Sequence, residues 1–258
     1  MLEHKTPVTV MIMTKNEEAK LGECLQSVSW ADEIIVLDDE STDKTCAIAE
    51  GFGARVIKRK MDLEGIHRNF GYAQAKNEWV LSLDADERVT PELGEEIVKT
   101  INEGIDCNVF AIPLRNYIGD YWIKHGGWYP AYKDRLFKKE HFRYEEVGVH
   151  PRVFYDGERG VLKSDIIHLS YRDFSDFLNK SNRLTTLEAQ KWFEDGRPMG
   201  FGRALWRAGD RFFRSYFGKN GRKDGFIGFM IAFFAAFYQI MSYAKYWELK
   251  NKNQEVSK

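Results

Sequence analysis

The chain has 258 residues, with 38 Lys+Arg against 39 Asp+Glu and a formal net charge of −1. At 43% apolar and 30% charged residues it is neither a wholly disordered chain nor a multi-spanning membrane protein, and its length suits one substantial domain or one with an appendage. Three cysteines (Cys24, Cys46 and Cys107) are too few and too scattered for a disulfide framework or a cysteine zinc site, and they read as buried thiols in a reducing compartment.

Residues 8–13 form a short apolar run followed at once by Thr14-Lys15-Asn16-Glu17-Glu18. The run lacks a full apolar region and a small-residue cleavage site, so it reads as a strand and not as a secretory signal. The protein is therefore expected in the cytoplasm unless its C-terminal end attaches it to a membrane. Residues 17–28 carry Leu21, Leu25 and Val28 at helical spacing, and 34–37 is a second buried strand. A helix is expected over 43–53, capped by Thr42 or Asp43 and ending in Gly51-Phe52-Gly53. Strands over 55–57 and 79–83 bracket a helix around 66–75, and Thr90-Pro91 opens a fourth helix with proline at its first position. Alternating strands and helices predict an α/β fold with a mostly parallel sheet flanked by helices.

Farther on, 107–114 and 133–137 read as strands, and Gly126-Gly127-Trp128-Tyr129-Pro130 as a loop with aromatics. After His168 the pattern turns helical. Between residues 197 and 223 eight basic residues stand against one acid, Asp210, a local charge of +7 that leaves −8 for the rest. In a helix over about 203–217, Arg203, Arg207, Arg211 and Arg214 fall within about 80° of one another, with Trp206, Phe212, Phe213 and Phe217 on the opposite side. An uncharged run of twenty residues, 225–244, then begins a helix expected to reach about 247. It could just cross a hydrocarbon core of roughly 30 Å, though its Gly, Gln239 and Ser242 favour lying in one leaflet. A basic amphipathic helix beside an apolar one is the combination expected on an anionic membrane surface; the alternative is a buried helix packed on the domain. Nucleic acid is not an expected partner, because the basic helix leads into an apolar segment.

The sharpest local signal is Val80-Leu81-Ser82-Leu83-Asp84-Ala85-Asp86-Glu87, an apolar strand running into two carboxylates. Strand ends of open α/β sheets are where ligands bind, and such oxygen ligands suit Mg²⁺ or Mn²⁺ bridging to substrate phosphates. Asp38-Asp39-Glu40-Ser41-Thr42-Asp43 follows the second strand, placing Asp39 where an acid can accept hydrogen bonds from a nucleoside. Neither dinucleotide nor P-loop glycine motifs are present.

Thr14-Lys15-Asn16-Glu17, the Asp38–Asp43 cluster, Arg68-Asn69-x-Gly71 and Asp84-Ala85-Asp86-Glu87, in that order, resemble family 2 glycosyltransferases, inverting enzymes with the GT-A fold. Gly126-Gly127-Trp128-Tyr129-Pro130, Arg135-Leu136-Phe137, Val149-His150 and His168-Leu169-Ser170-Tyr171-Arg172 extend the likeness to the lipopolysaccharide inner-core β-1,4-glucosyltransferase branch, which also ends in a membrane-associated helix. The resemblance implies a GT-A domain over 1–170 and a helical region over 171–258. It also implies a UDP-sugar donor, with glucose as the sugar, and a lipid-linked or lipopolysaccharide-core acceptor. Thr14, Glu17, Asp39 and Arg68 would line the nucleoside pocket, Asp84 would hold the ribose or the metal, and Asp86 with His168 would hold Mn²⁺ or Mg²⁺. His168 reads equally as a core histidine with a satisfied hydrogen bond. The general base is sought in Glu146 first, then Glu145, with Asp134 and His150 behind; where the branch has an acid after Val-His, this chain has Pro151. Gly127 and Trp128 suit a loop that approaches a sugar closely and stacks on it, or ordinary packing. Two other readings compete: a haloacid-dehalogenase-type phosphatase built on Asp84-Ala85-Asp86-Glu87-Arg88-Val89, and a non-catalytic membrane scaffold. The enzyme would work at the cytoplasmic face of the inner membrane.

Overall fold

The computed structural model describes residues 6–147 and 152–256. The chain forms two compact units, Met1–Leu114 with Ala131–His168, and Arg115–Pro130 with Leu169–Lys258.

The first unit opens with β1 (Val8–Thr14), α1 (Leu21–Ser27), β2 (Glu33–Asp38), α2 (Thr45–Gly51), β3 (Arg55–Lys58), α3 (Glu64–Ala73), β4 (Trp79–Asp84), β5 (Glu87–Val89) and α4 (Pro91–Asn102). Along the chain there follow β6 (Val109–Ile118), β7 (Tyr121–Trp122, in the second unit), β8 (Ala131–Lys138), β9 (Phe142–Tyr144), β10 (Val153–Tyr155), β11 (Arg159–Val161) and β12 (Ile166–Tyr171). The sheet order is β3-β2-β1-β4-β8-β6-β12-β5. Its first four strands are parallel, and β8 joins β4 antiparallel. Strand order reverses at β1, with β2 on one side and β4 on the other, so β1 and β4 flank a switch point of the kind where open sheets hold ligands.

Burial explains the unbroken apolar runs. Val8, Val10 and Ile12 of β1 pack with Leu21 and Leu25 of α1 and with Leu93 and Ile97 of α4. The alternate residue Met11 packs with Leu37, Val80 and Tyr72 of α3. A sheet covered on both faces needs apolar residues at both parities.

Several boundaries differ from the sequence reading. Helix α1 starts at Leu21 and not at residue 17; the residues before it belong to a loop tied to the one after β2, with Glu17 N–H donating to Thr45 Oγ1 (2.9 Å) and Glu18 N–H to Asp43 Oδ2 (3.1 Å). Strand β5 was hidden by its charged residues, Glu87 and Arg88, yet it pairs with β12. Strand β12 runs on to Tyr171, whose carbonyl accepts from Gly119 N–H (2.9 Å), so helix follows only from Phe174, capped by Asp173 accepting from Asp176 N–H (2.7 Å). The cap at Thr90 is as expected, its hydroxyl accepting from Leu93 N–H at 3.2 Å.

The second unit consists of the β7 hairpin, α5 (Phe174–Glu194), α6 (Phe201–Phe213), a π turn (Arg214–Gly218), a 3-10 turn (Gly221–Asp224) and α7 (Gly225–Val256). Ile118, Ile123, Phe177, Ile231 and Phe234 form one apolar cluster, and Ala189, Trp192, Met199 and Tyr246 another. Helix α7 is neither wholly buried nor wholly exposed. By length and composition it could cross a membrane, and one third of its most apolar window is buried.

Candidate active site

The loop after β1 and the loop after β2 are laced together. Asp39 N–H donates to the Thr14 carbonyl (2.9 Å), Thr42 N–H to Asn16 Oδ1 (2.8 Å), and Asn16 sits at φ +53°. Ala85 N–H bonds the Met13 carbonyl at 3.2 Å, so the ends of β1, β2 and β4 form one edge. Asp39 accepts from Lys15 Nζ and from Met61 N–H, each at 2.7 Å. Burial works to raise its carboxyl, but these two bonds hold it below the ordinary carboxylate value. Glu17, half-buried, lies 3.5 Å from Lys20.

Helix α3 supplies the next shell. Gly71 lets it approach the sheet, since a Cβ there would stand 2.9 Å from Leu37 Cδ2. Asn69 clamps the Tyr144 backbone in both directions (2.8 and 2.9 Å), and Gly65 N–H bonds the Val147 carbonyl. Thus Arg68-Asn69-x-Gly71 divides into a site residue, a clamp and a packing residue. The clamp fixes Tyr144 to Val147 beside the helix that carries Arg68. Within that segment Glu145 is held by Arg152 through both carboxylate oxygens (2.9 and 3.1 Å), whereas Glu146 is exposed. Asp134 is paired with Arg159 (2.7 Å), and Val149-His150 lies outside the described residues.

At the end of β4 a charge network is buried. Arg68 Nη2 bonds Asp84 Oδ1 (2.9 Å) and its Nε bonds Glu64; Arg135 Nη2 bonds Asp84 Oδ2 (2.7 Å) and also Glu87. Both oxygens of Asp84 are therefore taken by guanidinium groups. Burial opposes its charge, but Arg68 and Arg135 hold the carboxyl far below the usual range. Glu87 is fully buried; burial raises its carboxyl, Arg135 pulls against that, and the Asp84 charge adds to it. Arg135 and Glu87 are functional candidates that motif reading left without a role. The available signal was a charge inside an apolar strand pattern, Arg135 before Leu136-Phe137.

Strand β12 brings the last residue home. It pairs His168 with Glu87 in register and sets His168 Nε2 3.7 Å from Asp86 Oδ1. Burial would favour a neutral imidazole, yet Asp86 and Glu87 raise its affinity for a proton, and His168 in turn keeps Asp86 low. Among the described residues no three His, Cys, Asp or Glu side chains form a ready-made metal site. The pair Asp86–His168 nevertheless fits Mn²⁺ or Mg²⁺, which commonly takes one or two protein ligands and completes its shell with water and substrate phosphates. Thr14 Oγ1, His67 Nε2 and Arg68 Nη1 are buried without a hydrogen-bond partner among the described residues. Such orphaned groups are rare in folded proteins and fit a site that a ligand completes.

In the second unit, Gly127 takes φ +89°, and a Cβ on it would meet Lys219 Cδ at 2.6 Å. Trp128 packs edge-on to Tyr171 (6.1 Å between centroids) and its carbonyl accepts from Asn116 Nδ2 (2.9 Å), so the ring is part of an apolar cluster.

The chain is similar to several known proteins. A glycosyltransferase of Rickettsia prowazekii, itself uncharacterized, is 28% identical over 96% of this chain and 89% of its own length. The lipopolysaccharide core biosynthesis glycosyltransferase LpsC of Rhizobium meliloti is 25% identical over 95% of this chain and 93% of its own. Among solved structures, S. aureus TarS covers 86% of this chain and 45% of that chain at 17% identity and TM-score 0.47. Mycobacterium tuberculosis glucosyl-3-phosphoglycerate synthase, solved with Mn²⁺, UDP and phosphoglyceric acid, covers 43% of this chain and 44% of that chain at 25% identity and TM-score 0.39. The model of the family "Glycosyl transferase family 2" matches residues 9–156, which takes in every site candidate of the first unit up to Glu146 and stops short of His168. The phosphatase reading of Asp84-Ala85-Asp86 is thereby overturned, consistent with an Asp84 whose two oxygens are both occupied. More than half of the chain matches, and the sheet ends in the GT-A manner at β1, β2 and β4: the chain belongs to glycosyl transferase family 2 and is a glycosyltransferase.

Proposed function

We propose that this glycosyltransferase moves a sugar from a UDP-sugar to a lipid-linked or lipopolysaccharide-core acceptor, with inversion, by direct displacement. The observation that carries the reading is the meeting of Asp86 with His168 beside an Asp84 pinned by Arg68 and Arg135, at the ends of parallel strands. Asp39, kept ionised, is an acceptor suited to the N3–H of uracil, and Thr14, Glu17 and Arg68 are assigned to the same nucleoside pocket. Asp84 then serves as the anchored charge of the site, and Asp86 with His168 would hold Mn²⁺ or Mg²⁺. When bound, that ion supplies Lewis-acid neutralisation of the departing diphosphate.

The chain's own groups do the rest. Glu146, exposed where Glu145 is tied to Arg152, takes the proton from the acceptor hydroxyl. The acceptor oxygen bonds to the anomeric carbon as the bond from that carbon to the phosphate oxygen breaks, and UDP leaves with the electron pair. The likeness to LpsC, a lipopolysaccharide core biosynthesis glycosyltransferase, supports a lipopolysaccharide-core acceptor, and glucose follows from the likeness to the inner-core branch.

The test is binding and turnover across a panel of UDP-sugars, with Mn²⁺ and with chelator. Wild type is expected to bind one UDP-sugar in a metal-dependent way, and Asp86→Ala to weaken that binding at least about a hundredfold. Glu146→Gln is expected to keep binding and lose about 10²–10⁴-fold in transfer. Absence of binding to any UDP-sugar under every metal condition would overturn the reading.

A further inference from the structure

Helix α7 is long and apolar enough to cross a membrane, yet its packing argues otherwise. We infer that α7 does not cross the bilayer: the second unit lies flat on an anionic membrane, with the rings of α6 and α7 sunk into a single leaflet. The inference rests on the reading above only for its purpose, bringing the enzyme to a lipid-linked acceptor; its observations are separate.

One side of α7 is bare. Phe226, Phe229, Phe233, Phe237, Ile240 and Trp247 recur at steps of three, four and seven, and all are exposed. At 1.5 Å per residue they make an apolar stripe about 30 Å long. The opposite side is clasped by α5. Phe177 packs on Phe234 (4.8 Å), Trp192 on Tyr246 (6.4 Å), and Tyr238 Oη donates to the Leu184 carbonyl. Lys245 Nζ is surrounded by four oxygens of α5: the Asn182 carbonyl and Oδ1, Thr185 Oγ1 and Thr186 Oγ1, all within 2.8 Å. Helix α5 exposes Arg183, Lys191 and Glu194 along its own length. Driving α7 through a bilayer would take those charges into hydrocarbon or tear α5 away, and each is costly. A one-sided stripe on a helix backed by a water-facing helix belongs in the interface plane.

Helix α6 widens the stripe. It packs along α7, buries the small residues Ala204 and Ala208, and ties Arg207 to Gln239 (2.8 Å). Phe201, Leu205, Trp206 and Phe213 face outward, Trp206 being 70% exposed. Exposed apolar area of this extent marks a binding surface. Its rim names the partner: Arg203, Arg211, Arg214, Lys219, Arg222 and Lys223 are all exposed, against the single half-buried acid Asp210. Rings below and cations beside them match an acyl layer under anionic headgroups.

The experiment uses the full chain. In flotation with phosphatidylcholine vesicles, alone or mixed with phosphatidylglycerol, binding is expected with the mixture and to weaken with salt. It should fall about tenfold for each ring removed in Phe226→Ser, Phe229→Ser and Phe233→Ser, and about fivefold for Arg211→Gln, with circular dichroism unchanged. Sidedness is read by an impermeant maleimide on Lys58→Cys and Lys252→Cys, made in a Cys46→Ser/Cys107→Ser background. Both sites should react in inverted inner-membrane vesicles and neither in intact cells. Labelling from opposite sides would establish a crossing and overturn the inference. So would a chain that ignores vesicles and is instead a dimer through this face. UDP-sugar binding measured on the same ring variants separates the two readings: its retention with vesicle binding lost leaves the donor site standing.

Discussion

Around the end of β4 in the first unit, ionisable groups are buried: Arg68, Arg135 and Glu87 are withdrawn from water, and orphaned polar atoms lie among them. On α6 and α7 of the second unit, large rings are left in the open, with Trp206 and Phe226 more than two thirds exposed. Folding alone favours neither. Burying charge costs desolvation that only close pairing recovers, and exposing rings forgoes the main driving force of folding. Each region departs from the default in the direction of its proposed ligand, a charged nucleotide in one unit and an apolar phase in the other. The two departures should therefore respond oppositely to mutation.

The largest effect is expected at Arg135. Its guanidinium bonds both Asp84 and Glu87, so Arg135→Met leaves the buried Glu87 and the half-buried Asp84 without their shared partner. Breaking such a network from one side costs about 3–5 kcal/mol. Urea unfolding should show a midpoint lowered to match, and Arg135→Lys, which keeps the charge without the fork, should fall between. A variant as stable as wild type would mean that the network is not what holds β4, β5 and β8 together.

A smaller effect is expected from Asp39, which has one partly exposed lysine and one backbone N–H in place of a network. Its carboxyl lies below the ordinary 3.8, so the stability it contributes is present above that value and lost as pH falls through the lower folded value. Wild type should therefore lose more stability than Asp39→Asn on acidification through that range, measured by unfolding at neutral and acid pH. Parallel loss in the two proteins would show that Asp39 carries no folding free energy.

Much of this was legible in the chain order of short motifs. Thr14, Asp39, Asp84 and Asp86 fall at strand ends because apolar runs stop there, and a polar residue after a buried strand must face solvent or a ligand; Arg68 comes instead from helix α3. Less legible were groups delivered by pairing. Strand β5 has a charged pair where a strand should be apolar, and its register with β12 sets His168 opposite Glu87, which no local periodicity encodes. Arg207 is similar: the helical angles place it with Arg203 and Arg211, but packing turns it toward Gln239. Periodicity locates a face; only the neighbouring element decides which part of that face is covered.

The smallest effect should come from the largest exposed ring. Trp206→Ser removes an indole that is 70% exposed and makes no packing its fold depends on, so unfolding should stay within about 0.5 kcal/mol of wild type. Its binding to anionic vesicles should nevertheless drop, because an indole buried in the leaflet loses its apolar transfer there and not in the folded core. That dissociation sharpens the contrast with Arg135, where stability itself is at stake. A Trp206→Ser variant destabilised by several kcal/mol would show the ring to be a packed element of the second unit. The contrast would then fail on its exposed side, since α6 would have been built for folding and not for an apolar phase.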